Sequence, residues 1–258
     1  MVLALLIPEV FNMNMNVNTN VRQVLKRSDA IVGLVRESRK VLRIPKRLRR
    51  NRIIKNYLAS TEIKKLQLGV GPTALDGWLG TDIAPQSDRI VYLDATKPFP
   101  FDNDVFDYLY SEHMIEHMSW HEGLFMLQEC QRVLKPGGTV RIATPDLEVL
   151  IGLYSRTENP LNQRYIKWIT DKFLTQVGVY KAPFVINNAF RNWGHQFLYD
   201  GNLLEMAMQN AGFANIKRCS PGESEHESLR GIESHGKNMA DDEMAAFETM
   251  VFEGRSPA

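Results

Sequence analysis

Between residues 66 and 111 one pattern recurs four times: an apolar run that stops at Gly, Asp or Ser. The runs are Leu66-Gln67-Leu68-Gly69-Val70-Gly71, Gly80-Thr81-Asp82-Ile83, Val91-Tyr92-Leu93-Asp94-Ala95 and Phe106-Asp107-Tyr108-Leu109-Tyr110-Ser111. Strands buried on both faces read as apolar runs, and open α/β sheets bind ligands at the carboxyl ends of such strands. Four ends with glycine or polar tips predict a parallel sheet with a nucleotide-like pocket along one edge.

From Lys65 onward strands alternate with helices. The spacing of Leu124, Leu127, Cys130 and Leu134 predicts a helix from about residue 120 to 134, stopped by Lys135-Pro136-Gly137-Gly138. A fifth strand follows over 139–143 and ends at Thr144-Pro145-Asp146. Residues 147–195 read as a helical insertion, 201–211 as a further helix and 213–219 as a sixth strand, with a seventh left open. A chain of 258 residues has room for one α/β domain and an appendage, divided here into a basic extension over 1–60 and an α/β domain over 61–258.

The charge distribution supports that division. Residues 1–65 hold 15 of the 31 Lys/Arg and only 4 of the 30 Asp/Glu, so the head carries about +11 and the body about −10. The stretch 21–58 reads as helical, broken at Pro45. It admits three roles: a solvated face, a peripheral contact with an anionic membrane surface, or a nucleic-acid arm. Its aromatic content is thin, which makes nucleic acid the weaker partner. The two cysteines, Cys130 and Cys219, fit no metal spacing and read as reduced thiols. No apolar stretch approaches the roughly 18 residues that span a bilayer. The start, 1–10, lacks a basic leader and a cleavage site. The expected location is cytoplasmic, with contact at the inner face of the membrane as one role of the head.

Beyond these patterns, residues 64–235 resemble a family. Leu68-Gly69-Val70-Gly71-Pro72, Gly77-Trp78-Leu79-Gly80-Thr81-Asp82, Asp94-Ala95 and Ser111-Glu112-His113-Met114-Ile115-Glu116-His117 occur in order. Val133-Leu134-Lys135-Pro136-Gly137-Gly138, Gly194-His195 and Tyr199-Asp200 follow. The chain resembles the class I S-adenosylmethionine-dependent methyltransferases of the small-molecule or glycan, methyltransferase-11-like type. The resemblance implies a Rossmann-like, doubly wound seven-stranded sheet with one antiparallel strand. It implies S-adenosyl-L-methionine as cofactor, held by Gln67, Leu68, Gly69, Gly71, Asp82, Ile83, Asp94, Ala95 and Ser111. Asp82 would accept from the ribose hydroxyls and Asp94 from the adenine amino group. It also implies O-methylation of a glycan intermediate or other small-molecule acceptor; the alternatives are a nucleic-acid methyltransferase that uses the basic arm for positioning and a non-catalytic, cofactor-binding scaffold of the same fold. Two departures stand out: the usual acidic residue before the glycine turn is Gln67, and the usual third glycine is replaced around Pro72-Thr73. The first helix must also be short.

A sugar hydroxyl does not ionise near neutral pH, so its methylation calls for a base. His113, just past the fourth strand, Asp146, just past the fifth, and His195, in Arg191-Asn192-Trp193-Gly194-His195, are the candidates for catalysis or acceptor contact. Each His also has a plain structural reading as a cap or a satisfied polar site. The run His113-Met114-Ile115-Glu116-His117 fits the H-x-x-E-H zinc pattern, and His113, His117 and His121 would stack on one face of a continuous helix. With no third ligand distinguished in the sequence, the reading assigns no metal.

Overall fold

The structure, a computed structural model, describes residues 49–257. The leader over 1–20 and the basic stretch as far as residue 48 lie outside the described residues. The chain divides into two units, Met1–Arg52 and Ile53–Ala258. Of the first, residues 49–52 are described, and they are helical. Everything below concerns the second.

Seven strands form one sheet: β1 (Lys65–Leu68), β2 (Leu79–Asp82), β3 (Val91–Tyr92), β4 (Phe106–Glu112), β5 (Leu134–Pro145), β6 (Ala214–Cys219) and β7 (Thr249–Arg255). Their spatial order is β3-β2-β1-β4-β5-β7-β6. Every pair from β3 to β5 is parallel, while β7 runs antiparallel to both neighbours. This is the Rossmann-like sheet with one antiparallel strand that the resemblance implies. The apolar runs become strands because helices cover them: Leu66, Leu68, Leu109, Val140 and Ile142 are fully buried.

The helix Trp120–Val133 opens with a capping box, Ser119 with Glu122, and buries Met126, Leu127, Cys130 and Val133. It ends one residue earlier than predicted, because Leu134 already pairs with Phe106 as the first residue of β5. Lys135-Pro136-Gly137-Gly138 is then an excursion within the strand: the register passes from Leu134–Phe106 to Thr139–Tyr108. At Gly138 a Cβ would sit 2.9 Å from the Lys135 carbonyl and 3.1 Å from that of Asp107, so a side chain has no room.

No helix forms between β1 and β2; the link is a turn. The end of the preceding helix closes that side instead. Ile54 is buried, and the Tyr57 hydroxyl accepts from the Lys65 amide at 2.8 Å and donates to the Lys65 carbonyl at 2.9 Å.

The insertion is helical as predicted: Leu147–Ser155, Pro160–Phe173 and Ala182–Arg191. It has its own small core, in which Leu150, Leu153, Tyr165, Ile169 and Val185 pack with Met244 from the helix Asp242–Glu248. Among the described residues no helix is long and apolar enough to cross a membrane.

A buried cation ties the carboxyl-terminal segment to the sheet. Arg141, fully buried in β5, donates to Glu233 and to Glu253 of β7 at 2.6 Å each, and to the Glu223 carbonyl at 2.9 Å. Removing one partner of a buried ion pair leaves uncompensated charge, which costs about 3–5 kcal/mol. Arg141→Met should lower the urea unfolding free energy by about that amount.

Candidate active site

The site lies at the carboxyl ends of β1, β4 and β5. Past β1 the backbone turns through Gly69 (φ +63°) and Gly71 (φ +51°). That left-handed conformation is open to glycine at no cost. At Gly69 a Cβ would also lie 2.6 Å from the Met114 sulfur. The Val70 amide donates to the Thr81 carbonyl at 3.1 Å and the Gly71 amide to Asp82 Oδ2 at 3.0 Å, so the turn is tied to β2.

Gln67 is buried beneath this turn. Its amide donates to the Thr73 carbonyl at 3.0 Å and its oxygen accepts from the Leu75 amide at 2.9 Å. The loop that replaces the first helix thus offers one acceptor and one donor, and an amide matches both. A carboxylate could match only the donor. The departure from the family pattern therefore has a local cause.

A cavity of about 330 Å³ extends from this turn. One wall is Gln67, Gly69, Val70, Gly71 and Pro72; a second is Glu112, His113, Glu116 and His117. The insertion contributes Phe173, Trp193 and His195, and the carboxyl-terminal segment Ser234, His235, Asn238, Met239 and Glu248. Glu112 holds that last segment in place: its carboxylate accepts from the Ser234 and His235 amides and the Ser234 hydroxyl at 2.9–3.1 Å.

The predicted cofactor residues divide into two groups. Gln67, Gly69 and Gly71 line the cavity. Leu68 is core, and Ser111 is buried with a hydroxyl that has no hydrogen-bond partner. Asp82, Ile83, Asp94 and Ala95 lie outside the cavity, on the neighbouring strand ends. Asp82 accepts from the Gly71 and Ala84 amides at 3.0 and 2.7 Å, one bond to each oxygen, which leaves lone pairs on both. Asp94 Oδ1 accepts from the Thr96 amide at 3.0 Å and its hydroxyl at 2.7 Å. Ile83 is exposed.

The predicted catalytic residues are also separated. His113 has φ +46°, a strained value for a residue with a Cβ. Its Nε2 lies 3.0 Å from the Thr249 hydroxyl, its Nδ1 3.2 Å from Glu116 Oε1, and its ring stacks on His235 at 3.6 Å. Burial pushes its pKa down, but the carboxylates of Glu116, Glu248 and Glu112 outweigh burial and hold it above the ordinary value. Burial raises Glu116, yet its contact with His113 brings it below the usual range. Asp146 caps the helix Leu147–Ser155, accepting from the Glu148 amide at 2.8 Å, and pairs with Arg218 at 2.6 Å. It is buried and outside the cavity lining.

His195 faces the cavity. Its Nδ1 lies 2.8 Å from the Ala189 carbonyl, which can only accept, so Nδ1 carries the proton and Nε2 a lone pair. Burial holds its pKa below the ordinary value.

Glu116, His117, His235 and Glu248 were not among the predicted site residues. The first two stood inside a visible motif. His235 and Glu248 are more than a hundred residues from the glycine turn in sequence, and nothing local marks them. The three-histidine stack over 113–121 does not form, because a 3-10 turn at Ile115–His117 ends before the helix beginning at Trp120.

A family model described as a methyltransferase domain matches residues 78–142. That span takes in β2 to β5 and the His113–His117 wall. No curated protein matches the sequence. Among solved structures, a methyltransferase in complex with the Trm112 activator of Haloferax volcanii is 17% identical, with 80% of this chain and 89% of that one covered and a TM-score of 0.43. An S-adenosylmethionine-dependent methyltransferase of Thermotoga maritima is 16% identical (78% and 87% covered, TM-score 0.41). One from Archaeoglobus fulgidus is 13% identical (81% and 94% covered, TM-score 0.43). Residues 78–142 are thus similar to a methyltransferase domain, and the seven-stranded sheet with one antiparallel strand is the frame in which that domain sits. The residues present suit S-adenosylmethionine: at Gly71 a Cβ would meet nothing within 4 Å, which leaves bare backbone beside the cavity, and Asp82 keeps lone pairs at the end of β2.

Two outcomes follow. Asp82→Ala should weaken S-adenosylhomocysteine binding by about 1–3 kcal/mol in calorimetry, the usual cost of a lost hydrogen-bonded carboxylate. Gln67→Glu should destabilise the fold by about 1–3 kcal/mol, because it sets a buried carboxylate against the Thr73 carbonyl. Thermal unfolding without ligand checks the second.

Proposed function

We propose that this chain is a class I S-adenosylmethionine-dependent methyltransferase that O-methylates a hydroxyl of a sugar or glycan intermediate. The observation that carries the proposal is His195, which lines the same cavity as Gly69 and Gly71 and whose Nε2 has no protein hydrogen bond among the described residues. Trp193 and Phe173, in edge contact at 5.2 Å, stand beside it. Trp193 is 43% exposed. An open aromatic face next to a few convergent polar groups suits a pyranose ring, which is apolar on its C–H face and polar at its rim.

Bound S-adenosylmethionine supplies a methyl group on a sulfonium. The chain's part is to orient and activate the acceptor. The glycine turn fixes the cofactor end, the Trp193 side of the insertion holds the acceptor ring, and His195 contacts the hydroxyl. The two reacting centres then face each other within one cavity, which removes most of the entropic barrier to an in-line displacement.

Incubation with S-adenosylmethionine and a panel of sugar acceptors, followed by mass spectrometry, tests the acceptor class. A methylated sugar is expected; methylation of amines alone would overturn it. His195→Ala should lower turnover by about a hundredfold or more, the usual worth of a group that activates a hydroxyl. S-adenosylhomocysteine affinity should stay at the wild-type value. Unchanged turnover would take His195 out of the acceptor contact.

A further inference from the structure

Activation of a hydroxyl calls for one group, yet this wall of the cavity gathers several of metal-binding type. Glu116, His117 and His195 each offer a ligand atom, and the three atoms lie within 4.8 Å of one another. Glu116 Oε1 is buried and accepts no hydrogen bond; His113 Nδ1 lies 3.2 Å away. A buried carboxylate oxygen without a donor is costly, and such atoms in native proteins usually await a partner.

The three side chains are held together by backbone. The Gln196 and Phe197 amides both donate to the Glu116 carbonyl, at 2.7 and 3.2 Å, and the Gln196 side chain donates to the His117 carbonyl at 2.7 Å. This docks His195 against the 3-10 turn that carries Glu116 and His117. Each anchored ligand also has an orienting partner: the Ala189 carbonyl for His195 Nδ1 at 2.8 Å, and the Thr144 hydroxyl for Glu116 Oε2 at 3.0 Å. Metal-ligating histidines and carboxylates are typically steadied in this way. Among the described residues no hydrogen bond occupies a ring nitrogen of His117, so its ring can turn. Ligands around one tetrahedral ion stand about 3.4 Å apart, and rotation of His117 can close the remaining gap.

We propose that Glu116, His117 and His195 bind a divalent transition-metal cation, zinc by their ligand chemistry, with one position open toward the acceptor. Two imidazoles and a carboxylate form a donor set of catalytic zinc, whereas magnesium takes oxygen ligands. The set differs from the H-x-x-E-H motif in the sequence: His113 is replaced by His195, from the insertion. A second group, His113, His235 and Glu248, lies within the same 4.8 Å span. There His113 Nε2 already meets Thr249, the two rings are stacked, and Glu248 Oε2 accepts from the Tyr165 hydroxyl.

The catalytic use of the cation rests on the acceptor reading above, with His195 Nε2 then reaching the hydroxyl through the cation rather than directly; its binding does not. The cation draws electron density from the acceptor hydroxyl, whose proton passes to water. The acceptor oxygen forms its bond to the methyl carbon as the methyl–sulfur bond breaks, and that electron pair stays on sulfur. The products are a methyl ether, S-adenosylhomocysteine and a proton.

The test uses the full chain without a His tag, stripped by chelator and titrated with zinc by calorimetry and with cobalt as an optical probe. One equivalent per chain and the absorption bands of four-coordinate cobalt are expected. His117→Asn and His195→Gln should each weaken zinc binding about tenfold or more. S-adenosylhomocysteine affinity and thermal unfolding should stay at wild-type values, which shows that both variants fold. Absence of binding by the wild type, or equal binding by the double variant, would overturn the site. Zinc binding without methylation of any sugar hydroxyl would sink the acceptor reading and leave the site standing. Full methylation of a sugar by the stripped protein would do the reverse for the cation's catalytic role.

Discussion

The molecule is organised around one buried positive charge. Arg141 sits in the centre of the sheet with no exposure, bonded to Glu253 on the neighbouring antiparallel strand and to Glu233 in the loop above. An ion moved into a low-dielectric interior loses hydration worth several kcal/mol even after relaxation, so such a group persists only when well paired. Here the pairing has a structural consequence. Glu233 precedes Ser234 and His235, whose amides and hydroxyl close on Glu112 at the end of β4. The same chain segment is therefore clamped across β5 by Arg141 and across β4 by Glu112. That clamp builds one wall of the cavity and brings His235 face to face with His113.

The wall opposite depends on a different constraint. Glu116 is fully buried, and its backbone carbonyl accepts two amides from the segment after His195. Its side chain meets Thr144 of β5 and His113. A change at Glu116 would act on sheet, turn and insertion together, so measured effects there will not add to those of its neighbours. His195, by contrast, hydrogen-bonds through one ring nitrogen and otherwise meets the rings of His117 and Trp193, which makes its substitution the cleaner probe of chemistry.

The sheet was legible because buried parallel strands leave continuous apolar runs, and five of the seven strands carry that mark. The glycine turn was legible because few residue types tolerate its backbone. The seventh strand was not, since Thr249-Met250-Val251-Phe252 follows a helix with little punctuation and earns its place only by pairing with β5. Asp146 illustrates another limit. An acidic residue just past a strand reads the same whether it serves chemistry or caps the next helix, and only the Glu148 amide and Arg218 reveal the cap. The meeting of His117 with His195 could not be read either, because it is set by how Gln196 docks on a turn 79 residues earlier. Long-range backbone hydrogen bonds leave no periodicity.

Two cores divide the labour of the cavity. The glycine turn and Asp82 are fixed by the main sheet and its large core, whereas Phe173, Trp193 and His195 belong to helices and loops packed around the smaller one. Stability differences within a protein follow such units, and elements with fewer buried contacts open more easily. On the proposed reading, the cofactor end belongs to the large core and the acceptor end to the small one. Substitutions in the insertion can reshape the acceptor surface while Gly69, Gly71 and Asp82 keep their geometry, which is how one methyltransferase sheet serves many acceptors. The exception is the contact of Gln196 with Glu116 and His117, where the acceptor end is bolted to the cofactor end. Chemistry that needs an acceptor atom placed to within a fraction of an ångström of the methyl group would be built at that bolt, and His195 is the residue beside it.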